Sequence, residues 1–452
     1  VSLRVWPYTV SNISLVTDSA LCGYESYRWS EQSDQWPDFT RDQVTASYMD
    51  QMMSHRVNWI TFGQVFPQIN ATLSPDLRSV TLDTAGFDRM ARALLARGLR
   101  QMSFPKVSSD LDLAVSGGAK DGREFRGIQE EWSHSVMPNA TWKIDGLQLS
   151  VFDRDKTTWR PAHPVLNATF VRVYKLVYGA VLKHVVSQGL IDVAHTISVV
   201  DEPMLRDDFT TTALILLIKF VKALHPAIRI QQTTFPLGTR SLDLPPSFEV
   251  SLTRQALRLE GGPDGTNPAA GCATKPLNSS RMVRGEFCGN WSLIESGLMP
   301  LVDVFVAHYK QVNFPGAQAK MAAWQQQLAG RRLHIYDNAI PVIDKPAQRV
   351  RLFPWQLWLT NRGTAGVPAG HGLTGSLSWY CDNGEDGWTH PDGPKKTQWG
   401  GDGYVLYPQE PGVSAPQEAV SPSIRWELFR KGLEDAETFF MLQRLIVDAE
   451  RS

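Results

Sequence analysis

Short runs rich in Val, Ile and other β-formers recur along the chain, and each is followed by a stretch whose apolar residues return every three or four positions. The runs predict strands near Ser14–Thr17, Val57–Phe62, Leu99–Phe104, Thr196–Val200, Ile228–Thr233, Val302–Ala307, Leu333–Tyr336 and Gly375–Trp379. Between them, Phe170, Val173, Tyr174, Val177 and Val181 fall on one helical face, Phe87, Met90, Leu94 and Leu95 approximate another, and Leu214–Leu224 reads as a core helix. Eight strands alternating with helices predict a (β/α)8 barrel of the TIM type rather than an open doubly wound sheet, as a single domain over residues 1–452. No Gly-rich phosphate loop follows any strand, which argues against dinucleotide binding.

Three connections exceed the usual handful of residues: 105–165, 236–301 and 381–422. All leave predicted C-terminal strand ends, so they are expected as long insertions over that one face of the barrel, where they would wall a cleft. Aromatic residues crowd these loops and strand ends, among them Tyr24, Trp29, Trp132, Trp142, Trp159, Trp379, Tyr380, Trp388 and Trp399. Ring faces stack on sugars, so an acidic cleft lined with rings suits a carbohydrate, although many of the 15 tryptophans belong in the core.

The stretch His195–Pro203 supplies the acid. A β-branched run ends on the adjacent carboxylates Asp201 and Glu202, and Pro203 ends strand pairing there, leaving both acids at a strand mouth. Acids after a strand also cap helices, but Asp207 and Asp208 stand closer to the next helix and can do that themselves.

Composition narrows the compartment and the partners. A formal net charge of −1 gives no electrostatic case for nucleic acid or an anionic membrane, and the longest apolar run is interrupted by Lys219 and Lys222, so no membrane span is expected. Asn-x-Ser/Thr sequons at Asn12, Asn70, Asn139, Asn167, Asn278 and Asn290 point to a secreted, extracellular or lumenal glycoprotein. The start at Val1 reads as that of a processed product or an excised domain. Four cysteines fit the same compartment. Cys272 and Cys288 are expected to pair within their own loop. In a closed barrel the first and last strands are neighbours, which would bring Cys22 and Cys381 to one rim as a second pair, two free thiols being the alternative.

From about Arg331 onward the chain resembles glycoside hydrolase family 123, whose members act on β-linked N-acetylgalactosamine. The resemblance is carried by His334-Ile335-Tyr336, Ile343-Asp344-Lys345-Pro346, the Arg351–Trp358 stretch (RLFPWQLW), Gly375-Ser376-Leu377-Ser378-Trp379, the Gly401–Pro408 stretch (GDGYVLYP) and the Pro422–Glu437 stretch (PSIRWELFRKGLEDAE), in that order. It implies that Asp201-Glu202-Pro203 corresponds to the family's catalytic Asp-Glu pair at the end of the fourth barrel strand. It covers residues 1–195 only loosely, and the front β-sandwich that family members carry is not expected in this chain.

Two neighbouring side chains cannot span opposite faces of a sugar ring as the separated acids of ordinary glycosidases do. Substrate assistance removes that need: the substrate's 2-acetamido oxygen attacks the anomeric carbon and forms an oxazolinium. Glu202 is then expected as acid and base, and Asp201 as the acceptor that orients the acetamide N–H. A hydroxyl is wanted near the acetamide oxygen. Tyr336 is the first choice, Tyr309 and Tyr380 follow, and Trp379 is the expected floor for the ring. The activity expected is a retaining β-N-acetylgalactosaminidase, and the alternative is a silent glycan-binding or structural glycoprotein on the same barrel. No cofactor is expected. His308, His371 and His390 lack ligand-like spacing, so no metal is expected either, while Arg351 and Arg425 read as salt-bridging helix residues.

Overall fold

The computed structural model of the chain describes residues 16–20, 41–62, 69–74, 76–105, 142–144, 147–149, 166, 168–199, 208–233, 237–238, 286–287, 291–308, 323–326, 331–336, 346–361, 375–378, 405–408 and 420–452. Each strand expected from the sequence is present, with ends moved by a few residues: β1 (Val16–Ala20), β2 (Trp59–Phe62), β3 (Gln101–Ser103), β4 (Ala194–Ser198), β5 (Arg229–Thr233), β6 (Val304–His308), β7 (Arg332–Tyr336) and β8 (Gly375–Ser378). The main helices are α1 (Arg41–Ser54), α2 (Ala85–Ala96), α3 (Ala168–Ser187), α4 (Asp208–Lys222), α5 (Ala347–Asn361) and α6 (Ile424–Arg451). Parallel strands alternating with helices make this an α/β fold. Among the described residues no helix is long and apolar enough to cross a membrane.

The chain divides into two compact units, interleaved in sequence: 1–65, 93–101 and 333–452 form the first, 66–92 and 102–332 the second. In the first, parallel strands run in the order β2-β1-β8-β7, with Asp18 opposite Trp59, Val16 opposite Gly375, and Tyr336 opposite Leu377. In the second the order is β3-β4-β5-β6, with Ser198 opposite Gln231, Gln231 opposite Val304, and Thr233 opposite Val306.

Helices α1, α2 and α3 end in the same way. Beyond each, one N–H bonds a carbonyl three residues back and the next bonds one five residues back: Arg56 to Met53 and Val57 to Met52, Gly98 to Leu95 and Leu99 to Leu94, Gly189 to Val186 and Leu190 to Val185. This Schellman turn needs a left-handed residue, and Gly98 and Gly189 supply it at φ 94° and 68°. Arg56 adopts φ 68° despite its side chain. Each turn drives the following apolar residue, Val57, Leu99 or Leu190, into the core just before a strand begins.

The long connections contain short structure of their own. Trp142–Ile144 pairs antiparallel with Leu147–Leu149, Leu237–Gly238 pairs parallel with Glu286–Phe287, and Leu406–Pro408 pairs antiparallel with Val420–Pro422. Within the segment 236–301, residues Trp291–Leu301 are helical, including a π-turn over Ile294–Leu298.

In the second unit the N-terminal strand edge is held by Asp303. Its Oδ2 accepts from Lys222 Nζ at 2.7 Å and from the Ile230 N–H at 2.8 Å, and its Oδ1 accepts from Arg331 at 3.3 Å. Arg331 also donates to the carbonyls of Pro300 and Val302 and lies over the Trp324 ring. One half-buried carboxylate therefore ties α4, β5 and the entry to β7 together.

In the first unit α5 and α6 pack with almost no gap. A Cβ on Gly432 would sit 2.2 Å from the Arg351 carbonyl oxygen, so only glycine permits the approach. The contact is fixed on either side: Arg351 grips Asp435 through Nε at 2.7 Å and a second nitrogen at 3.2 Å, as expected of a salt-bridging arginine, and Trp355 and Trp358 pack on Phe439. Arg425, the other arginine so read, donates to the Tyr407 hydroxyl at 3.3 Å. Ser423 caps α6, its hydroxyl accepting from the Trp426 N–H at 3.1 Å.

His55 joins the end of α1 to the start of α6. Its ring stacks on Trp426 with centroids 5.3 Å apart, its Nδ1 is 2.7 Å from the Gln51 carbonyl, and its Nε2 is 3.1 Å from Glu427 Oε1. Burial holds its pKa below the ordinary 6.5, against the opposing pull of Gln51 and Glu427. Burial pushes Glu427 up, but its contacts with Arg430 and His55 outweigh that and leave the carboxyl below its ordinary value.

Two measurements check this packing. Gly432→Ala should destabilise by about 1–3 kcal/mol, seen as a lower melting temperature, because a backbone carbonyl cannot move aside as a side chain can. Because folded His55 binds its proton less readily than the unfolded chain, stability should be full above about pH 6.5 and fall as the pH drops below it, whereas the loss due to Glu427 begins only below about pH 4.5. His55→Gln should therefore flatten part of the stability slope between about pH 6.5 and 5. His195, whose pKa is also lowered, chiefly by burial, retains some of it. An unchanged slope in chemical denaturation would assign it to other groups.

Candidate active site

Strand β4 leads to the acids. Near its start, His195 Nδ1 lies 3.0 Å from the Ile191 carbonyl, and burial lowers the histidine's pKa, favouring the neutral ring. The strand ends at Ser198, with a bend at Val199, two residues earlier than expected. Asp201 and Glu202 follow three and four positions past Ser198 and lie outside the described residues.

Strand register assigns the residues of the second unit's sheet to two faces. Phe305 meets Trp324 of the short helical segment 323–326 edge-on at 4.9 Å, which identifies the face that carries Phe305 as the one against the helical layer. Successive strand residues point to opposite faces, so Val304 and Val306 turn away from the helices. Register carries that face across to Gln231 and Thr233 of β5 and to Thr196 and Ser198 of β4. The outer face thus carries Ile197, Ile230 and Gln232 beside Phe305, and the inner face carries Thr196, Ser198, Gln231 and Thr233 beside Val304 and Val306.

Two of these hydroxyls stand out. Thr233 is 2 % exposed, and neither its Oγ1 nor Ser198 Oγ has a hydrogen-bond partner among the described residues, although both oxygens are shielded from solvent. An unsatisfied buried hydroxyl costs about 1–3 kcal/mol, and here two lie at the C-terminal ends of neighbouring strands. Ser198 is the last residue of the strand that leads to Asp201 and Glu202.

The first unit presents a ring cluster. Trp59 on β2 and His334 on β7 meet edge-on with centroids 5.1 Å apart. These are the outer strands of a four-strand set, separated by about 14 Å along a flat sheet at ~4.8 Å per step, so the sheet curls strongly and the two rings lie on its concave side. Tyr336, two residues past His334, shares that face at the C-terminal end of β7 and is buried at 2 % exposure.

Of the residues singled out in the sequence, Tyr336 is thus at a strand mouth on a concave face. Trp379 and Tyr380 follow directly after β8, and Tyr309 directly after His308, the last residue of β6. All three lie outside the described residues, as do His371, His390, Cys22, Cys272, Cys288, Cys381, Asn12, Asn139, Asn167, Asn278 and Asn290. Asn70 opens a strand, Asn70–Leu73, paired antiparallel with Val80–Asp83. Among the described residues no group of three or more His, Cys, Asp or Glu could hold a metal ion. Sequence reasoning gave no role to Ser198, Thr233, Gln231 or Trp59, and named His334 only within a stretch that carries the resemblance. A signal was present in β4, where the polar Thr196 and Ser198 flank Ile197; in β5 the consecutive polar residues Gln231, Gln232 and Thr233 give none.

No family model and no curated protein sequence matches the chain. Its fold is similar to that of a family 123 glycoside hydrolase from Clostridium perfringens, solved in a study of glycolipid glycan hydrolysis. The TM-score is 0.50 and the identity 10%, over 94% of this chain and 59% of that one. The chain therefore spans about three fifths of the length of that protein. The solved structure belongs to the same family that the sequence motifs resemble.

Proposed function

We propose that this chain is a (β/α)8 glycoside hydrolase that releases β-linked N-acetylgalactosamine with retention, by substrate-assisted catalysis. The observation that carries the reading is the parallel strand β4, which ends at Ser198 just before the adjacent acids Asp201 and Glu202, in a fold similar to that of a family 123 enzyme. In a parallel α/β fold, ligands gather at the carboxyl ends of the strands.

In the proposed reaction the acetamido oxygen forms a bond to the anomeric carbon as the bond to the leaving oxygen breaks. Glu202 delivers a proton to that oxygen, and Asp201 accepts the acetamide N–H and offsets the positive charge growing on the oxazolinium. Water, deprotonated by Glu202, then opens the ring from the face the aglycone left, so two displacements restore the β configuration. Tyr336 is the proposed hydroxyl for holding the acetamide oxygen in line, with Tyr309 and Tyr380 as its neighbours in that role and Trp379 as the floor. The sequons and the even cysteine count support a secreted or lumenal glycoprotein with Cys272–Cys288 and Cys22–Cys381 bridges.

Hydrolysis of a chromogenic β-N-acetylgalactosaminide, with the gluco epimer as comparison, tests the activity; no release from either would refute it. Glu202→Gln should lower kcat/KM by about 10²–10⁴ on substrates with poor leaving groups and far less on activated aryl glycosides. Equal losses on both would remove Glu202 from the acid role. Asp201→Asn should lower kcat by about 10²–10³ with little change in KM, because the charge it offsets arises mainly in the transition state.

A further inference from the structure

We infer that the Ser198 and Thr233 hydroxyls form a substrate-contacting rung that hydrogen-bonds the hydroxyl groups of the bound sugar, at the end of the strand whose sequence runs on to Asp201 and Glu202. The inference rests on the glycoside hydrolase reading and extends it to residues that neither the sequence motifs nor the fold comparison single out.

Three observations converge. First, both side chains point to the face of the sheet that turns away from the helices: Ser198 is in register with Gln231, and Gln231 and Thr233 lie opposite Val304 and Val306, the residues that flank helix-facing Phe305. Second, both lie at the carboxyl ends of adjacent parallel strands, and Ser198 comes three positions before Asp201. Third, Thr233 is almost wholly buried, and both hydroxyl oxygens lack a partner among the described residues.

Polar groups at the opposite end of the same sheet are treated quite differently. There Asp303 accepts from Lys222, Arg331 and the Ile230 N–H, and the His195 ring is matched to the Ile191 carbonyl. Among the described residues the two hydroxyls without a partner thus lie at the end where substrate chemistry is expected, where a ligand can supply the partner.

The geometry suits a sugar. Thr233 is two residues beyond the position opposite Ser198, which places the two Cα atoms about 8 Å apart by strand geometry, on the scale of one pyranose ring with its substituents. A hydroxyl both donates and accepts, so each can meet a sugar hydroxyl in either sense, whereas a carboxylate could only accept.

Thr233→Val keeps the shape and removes the hydroxyl, and Ser198→Ala removes one oxygen. The probe is a non-hydrolysable methyl thioglycoside of β-N-acetylgalactosamine, with its Kd measured by calorimetry on wild type, each variant and the double variant, alongside melting temperatures. The rung predicts about tenfold weaker binding per hydroxyl lost, with a melting temperature equal to or above that of wild type, because the group removed has no partner among the described residues. Unchanged Kd with a lower melting temperature would mean that the hydroxyls serve the fold alone, for instance through a buried water, and would overturn the inference. Tight thioglycoside binding without hydrolysis of any β-hexosaminide by wild type would sink the enzyme reading and leave the rung standing. Hydrolysis with a Kd unaffected by either variant would do the reverse, and no sugar binding by wild type would overturn both.

Discussion

Parallel hydrogen bonding between strands is the constraint on which the rest depends. In each unit it aligns four strands in one direction, so every carboxyl end falls on one edge and every helix must return the chain to the other. Residues distant in sequence, such as Ser198 and Thr233, become neighbours for that reason alone. Once the direction of β4 is set, Asp201 and Glu202 must follow its carboxyl end, and their chemistry is tied to whatever gathers there.

The edges of the second unit's sheet divide the labour between stability and function. At the amino edge polar groups are matched: Asp303 is bound from three directions, and Arg331 is spread over two carbonyls, a carboxylate and an indole ring. At the carboxyl edge two hydroxyls on the face away from the helices have no partner among the described residues. Such a distribution is expected where one end of a sheet secures the fold and the other is kept for a ligand.

Much of the architecture was legible because hydrophobic period and turn chemistry are local. The β-formers of Ile228–Thr233 and Leu333–Tyr336 are strands within a residue or two of expectation, and Gly98 and Gly189 end helices as glycine should. Other features were not local and so not legible. Strand β4 stops at Ser198 because of a bend that Val199 and Val200, both good β-formers, do not announce. Arg56 takes a left-handed conformation that its residue type disfavours, and only the packing of Val57 behind it gives the reason. Thr196, Ser198 and Thr233 read as ordinary strand formers until register assigned them a face. Likewise the contact of Trp59 with His334 joins positions 275 residues apart, which no pattern within either strand encodes.

The proposed mechanism requires two successive displacements at the anomeric carbon, the first by the substrate's own acetamide. The most direct measurement is the anomeric configuration of the sugar first released from a β-N-acetylgalactosaminide, followed by proton NMR before mutarotation. Two displacements predict that the β anomer appears first and the α anomer grows in only as the solution equilibrates. Initial release of the α anomer would mean a single displacement by water, and would contradict the account.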